Sequence, residues 1–235
     1  MQKRSDIESF YGLMRQLELK TGMRLLGGCH GRMMWPKRGV YFFFEPGEYR
    51  SGHSGLPRVV RVGTHALAPN SRTTLWSRLR QHRGTKNPLG GNHRGSIFRL
   101  LVGKAMIESG LSQPVANWGN GPAANHDISD IERELEIRVS EYLGRMTLLY
   151  LDAPDEPGPD SARGVIERNS IALLSSYCEP APDQPSSHWL GLHSSKHERV
   201  KQSGLWNNNH VDESYNPDFL RILEDLVGRM PQSNC

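Results

Sequence analysis

The sequence predicts an α/β fold: a small mixed or antiparallel central sheet flanked by helices, in one domain over residues 1–235. Short runs rich in aromatic and β-branched residues, bounded by turn residues, read as strands. Longer segments carry apolar residues at helical spacing. Their order, strand–strand–helix and later strand–helix, fits a sheet covered by helices.

Ser5-Asp6-Ile7-Glu8 has the form of a capping box. Ile7, Phe10, Tyr11, Met14 and Leu17 follow at helical spacing, so a helix is expected over about 5–21, ended by Gly22. Gly39–Phe44, "GVYFFF", reads as a strand with aromatics on both faces, and Pro46-Gly47 as a turn. Val59–His65 reads as the second strand of a hairpin. Thr73 or Thr74 caps a helix running to about Arg83, and "TKNPLGGNHRG" is a loop. Ser96–Glu108 suits a helix or a strand–helix mixture. A second capping box, Ser129-Asp130-Ile131-Glu132, starts a helix to about Leu143. "MTLLYLD", Met146–Asp152, is a short strand. Helices are then expected over about 161–177 and 217–228, joined by the proline-rich "EPAPDQPSSHW".

Net charge is only +4, but it is unevenly spread. Residues 49–107 hold eleven basic side chains and no acidic one, whereas residues 108–235 hold ten basic and twenty acidic. Such a stretch suits a polyanion, nucleic acid above all, or pairs with the acidic C-terminal half. No apolar run approaches the ~20 residues of a membrane span. The opening segment lacks a signal peptide's apolar stretch. A cytoplasmic protein with no membrane association is expected. Cys29, Cys178 and Cys235 are too far apart for a disulfide framework or a paired-thiolate zinc site.

Two helices carry polar side chains where apolar ones belong. Leu75, Arg78, Leu79 and His82 fall within one ~100° arc. A guanidinium there snorkels, pairs with a carboxylate, or holds phosphate oxygens. Glu167 lies mid-arc among Arg163, Ile166, Ser170, Ile171 and Leu174. A carboxylate so placed is protonated, paired with a cation such as Arg163, or bound to a metal. A strand tyrosine, a cation, an inward carboxylate and a basic field are together the parts that phosphodiester hydrolysis needs.

These residues resemble the GIY-YIG nuclease family. Gly39-Val40-Tyr41 is similar to its Gly-Ile-Tyr, and Arg61-Val62-Gly63 stands where the family has Tyr-Ile-Gly. Leu75-x-x-Arg78-Leu79-x-x-His82 resembles its arginine helix. Glu167 in "VIERNSIALLS" resembles its metal-binding glutamate. Asn207 resembles its late asparagine, a place Asn208 or Asn209 could also take. The resemblance implies a nuclease core over about 37–210, with an insertion over about 84–145. It implies a Mg²⁺- or Mn²⁺-dependent endonuclease acting on DNA, with RNA as an alternative substrate. It also implies roles: Tyr41 as base or water-orienting group, Arg78 on the scissile phosphate, His82 tuning Tyr41, Glu167 as the metal carboxylate, Asn207 shaping the site. Arg61 departs from the family tyrosine. It can stabilise negative charge but cannot act as a phenol, so a binding protein on a weakened scaffold is the rival reading. His65, Arg80, Arg83, Lys86 and Arg94 are the expected nucleic-acid contacts. One such centre cuts one strand, so double-strand cleavage calls for a homodimer or successive nicks. His193 and His197 could flank a metal if helical, but a solvated loop is the expectation.

Overall fold

The computed structural model describes residues 2–232, apart from 54, 121–125, 159 and 196. Cys235 lies outside the described residues.

Helix α1, Gln2–Thr21, buries Ile7, Phe10, Tyr11, Leu13, Met14 and Leu17. It begins earlier than the expected capping box, so Ser5 lies inside the helix and caps nothing. Asp6 is instead drawn inward, where it accepts hydrogen bonds from Gln2 Nε2 (2.9 Å) and Tyr215 Oη (2.8 Å). Gly22, at φ +66°, ends the helix in the left-handed region that glycine adopts without strain.

Strands β1 (Arg24–Leu25), β2 (Gly39–Tyr49) and β3 (Pro57–Gly63) join β6 (Thr147–Asp152) in one antiparallel sheet, ordered β1-β6-β2-β3. Helices cover both faces. Phe42 meets Phe10 of α1, while Phe43 on the opposite face meets Phe98 and His82. Tyr41 pairs with Gly63 and Phe43 with Arg61, so these four residues share one face.

Between β3 and β6 lie α2 (Leu75–Arg83), a hairpin of β4 (Thr85–Lys86) and β5 (Leu89–Gly90), α3 (Ile97–Glu108) and α4 (His126–Gly144). Thr74 caps α2 through a reciprocal box with Ser77. Ser96 caps α3, which is helical throughout. Helix α4 starts three residues before Ser129, so the second expected box also lies inside a helix. The loop expected after α2 carries the short hairpin. Helix α5 (Ala162–Leu174), capped by Ser161, is followed by α6 (Glu198–Ser203) and α7 (Phe219–Arg229).

The outer edge of β3 is closed by a two-residue segment. Trp206 N donates to Val60 O (2.7 Å). The Asn207 side chain accepts from Val62 N (3.1 Å) and donates to Val62 O (2.8 Å), like a further strand residue.

Candidate active site

Two motif glycines are required by close approach. A Cβ on Gly39 would lie 2.3 Å from Leu151 O, and one on Gly63 would lie 2.3 Å from Tyr41 Oη. The Tyr41 ring therefore lies across Gly63, and only glycine leaves it room.

Tyr41 is buried, and its Oη is 2.8 Å from His82 Nε2. His82 Nδ1 is 2.7 Å from Ser96 Oγ, which also accepts from Arg99 N. Burial, reinforced by Arg78, Arg61 and Arg99, holds the His82 pKa well below the usual histidine range. The ring is thus neutral, with one donating and one accepting nitrogen. Tyr41, His82 and Ser96 form a chain along which a proton can shift.

Arg61 is buried on the same face. Its guanidinium sits 4.7 Å over the Phe98 ring, and Nη1 donates to the Trp206 carbonyl. Its Nε has no partner. Burial lowers its pKa; Tyr41 and Glu167 oppose that shift and Arg78 adds to it, so Arg61 lies within electrostatic reach of all three.

Glu167 projects from α5 toward the end of β3 and accepts a hydrogen bond from Thr64 N (3.0 Å). It does not pair with Arg163. That guanidinium bonds Asp155 (2.6 Å) and the carbonyls of His65 and Ala66. Burial raises the Glu167 pKa, opposed by the Thr64 N–H, Arg61, His210 and Arg78. Arg78 is half-buried and bonds only neutral oxygens, Gln81 Oε1 (3.0 Å) and Gly95 O (3.3 Å).

The remaining expected residues divide. His65 is buried; its Nδ1 meets Thr73 O (3.0 Å), and its Nε2 has no partner. Burial and Arg163 lower its pKa to about 4. Asn207 is spent on the main chain of Val62 and reaches the site through β3. Arg80 and Lys86 are exposed. Arg83 anchors on the Cys29 carbonyl and lies 5.2 Å over Trp76. Arg94 is not open to a ligand: both terminal nitrogens bond Glu132 (2.6 and 2.7 Å). Its carboxylate partner comes from α4, which the local charge count does not see. Ser96, which meets His82, and Trp206, whose carbonyl accepts from Arg61, were not expected at the site. Ser96 could have been found as the serine preceding an apolar helical run.

Among the described residues no three His, Cys, Asp or Glu side chains gather as a metal cluster. His193 is exposed in a short 3₁₀ turn, Leu190–His193, and forms no metal site with His197. Glu167, with one oxygen on Thr64 N and no ion pair to any described residue, matches a cation that keeps most of its waters and takes one carboxylate, as Mg²⁺ does.

The sheet and site together define a class: an α/β domain in which two hairpin strands and the following helix set a tyrosine–histidine pair beside arginines and one carboxylate. The model of the GIY-YIG domain matches residues 1–233. This chain belongs to the GIY-YIG family, whose domains are of nuclease type. No curated protein and no solved structure matches it. No described helix is long and apolar enough to cross a membrane.

Proposed function

We propose that this protein is a metal-dependent endonuclease that hydrolyses phosphodiester bonds in DNA in the cytoplasm, using Mg²⁺ or Mn²⁺. One observation carries the reading: the 2.8 Å Tyr41–His82 pair lies within electrostatic reach of Arg61 and Arg78, both of which also reach Glu167, and among the described residues none of these three charged groups forms an ion pair. Unneutralised groups of both signs around a buried phenol are costly unless a charged reactant completes them.

Tyr41 orients the attacking water or takes its proton, and neutral His82 is placed to receive the phenol proton through Nε2. Ser96 fixes the other ring nitrogen. Arg78 presents its fork to the non-bridging oxygens. Arg61, in the place of the family's second tyrosine, supplies positive charge where the phosphorane develops negative charge. Glu167 is the carboxylate that would hold the divalent cation, which when bound stabilises charge on the leaving oxygen. Asn207 and Trp206 position Arg61 by fastening β3.

The test is to incubate the protein with supercoiled plasmid, single-stranded DNA and RNA, with Mg²⁺, with Mn²⁺ and with EDTA. Metal-dependent nicking of plasmid is expected. Shifted but uncut substrate with both metals would overturn hydrolysis in favour of a binding protein in which Arg61 has ended catalysis.

A further inference from the structure

We propose that the cleft between the last turn of α2 and the β4–β5 hairpin holds the phosphodiester backbone of one nucleic-acid strand as it leaves the active site. This rests on the nuclease reading and extends it to how the substrate is held.

The cleft has a volume of about 640 Å³ and is lined by Arg80, Arg83 and Lys86 with Asn87, Asn92 and glycine main chain. No carboxylate lines it. Arg80 and Lys86 make no hydrogen bond or ion pair with any described residue. The charge of Arg80 adds to burial in lowering the Arg83 pKa, so these cations stand close enough to repel. Clustered cations without a counter-charge favour an anionic ligand. The cleft also adjoins the site directly: Gly95, on its wall, accepts from Arg78 and precedes Ser96, the partner of His82.

The walls are held firmly. Ser140 Oγ donates to Gly90 O (2.7 Å). A Cβ on Gly91 would lie 2.2 Å from the Arg99 guanidinium carbon, so the hairpin sits against that buried arginine. Arg99 also donates to His82 O (3.0 Å). One buried arginine thus ties the cleft to the catalytic histidine, and a strand bound in one is in register with the other. An open, cation-lined channel beside a hydrolytic centre suits a polymer running through rather than a small anion enclosed.

The test uses the full chain in EDTA, with a fluorescent 20-nucleotide single-stranded DNA titrated across NaCl concentrations. Arg80→Gln/Lys86→Gln is compared with wild type and with Arg4→Gln, which removes an exposed cation from α1. Loss of two phosphate contacts makes the slope of log Kobs against log[salt] shallower by about 1.4. With Mg²⁺, the double variant raises KM while the single-turnover rate at saturating DNA stays at the wild-type value. Inorganic phosphate, at matched ionic strength, competes no better than chloride. A wild-type slope in the double variant, or one matched by Arg4→Gln, overturns the cleft assignment while leaving cleavage by wild type intact. Strong competition by inorganic phosphate overturns it in favour of a free-anion site. A wild type that neither binds nor cuts nucleic acid overturns both this assignment and the nuclease reading.

Discussion

The layer of α3 and α4 and the face of β2 and β3 use the same three polar residue types in opposite ways. In that helical layer, Arg99 donates to Glu136 through Nε (2.9 Å) and Nη2, to His82 O through Nη1, and to Ser140 Oγ. Glu136 also accepts from His93 N and Nδ1, and His93 Nε2 accepts from Gly119 N (3.1 Å). Every side-chain nitrogen and oxygen of Arg99, Glu136 and His93 is used. On the sheet face, Arg61 leaves Nε unpartnered, His65 leaves Nε2 unpartnered, and Glu167 has one hydrogen bond, to Thr64 N. A saturated buried network holds a scaffold together. An unsaturated one keeps its valences for something that arrives. Burial alone does not separate the two, since Arg99 and Arg61 are both buried.

The largest expected contrast comes from the two glutamates. Glu167→Gln lowers the rate of plasmid nicking by about 10³-fold or more, because the carboxylate proposed to hold the divalent cation loses its charge. Its thermal midpoint stays level or rises, since burial already opposes that charge. Glu136→Gln does the reverse. It leaves the Arg99 guanidinium buried without a counter-charge and lowers unfolding free energy by about 3–5 kcal/mol in urea titration. Equal stability losses in the two variants would erase the distinction between scaffold and site.

A smaller effect sharpens the comparison from the backbone side. Gly63→Ala sets a methyl group 2.3 Å from Tyr41 Oη, so the phenol must move off His82. We expect a stability loss of about 1–3 kcal/mol from overpacking. Nicking falls by about 10²-fold from the misplaced phenol. Gly144, which faces Gly27 at the foot of α4, has its nearest Cβ contact at an ordinary 3.7 Å. Gly144→Ala is therefore the control that leaves the nicking rate near wild type.

What the sequence made legible follows the same division. Arg78, His82 and Glu167 stand out in the sequence because each is a polar group in an apolar arc, and Tyr41 because it carries a hydroxyl into a strand; Gly63 enters only through the motif that resembles the family's, and its contact with Tyr41 crosses strands. The α2 cap at Thr74 was a local signal. The pairing of Arg94 with Glu132, and of Arg99 with Glu136, spans 38 and 37 residues of chain and leaves no local trace on the arginine side. Yet Glu132 and Glu136 sit one turn apart near the buried Leu135 and Val139. They are polar misfits of the same kind as Glu167, and they neutralise part of the basic stretch from α4. The serine box at Ser5 misled because α1 runs on past it to Gln2, which leaves Ser5 within the helix rather than at its end.

The smallest expected effect concerns the two histidines. His93 has both ring nitrogens bonded, whereas His65 has one bonded and one bare in a buried place. The His65 pKa is lowered to about 4, against about 6.5 in an unfolded chain. Between those values the unfolded chain binds the extra proton and the folded one does not. His65 therefore contributes its full stability above pH ~6.5 and loses it as pH falls toward 4, by up to ~1.4 kcal/mol per pH unit. His82, shifted the same way, and Glu167, Glu45 and Asp152, shifted upward, also bend the curve. They are present in wild type and in His65→Gln alike, so the difference between the two proteins isolates His65. Urea titrations at pH 7 and pH 5.5 should show that gap changing by about 1 kcal/mol, with wild type losing more on acidification. Parallel pH curves would mean that a proton reaches Nε2 without penalty, and that this nitrogen is not the bare, buried acceptor that sets His65 apart from His93.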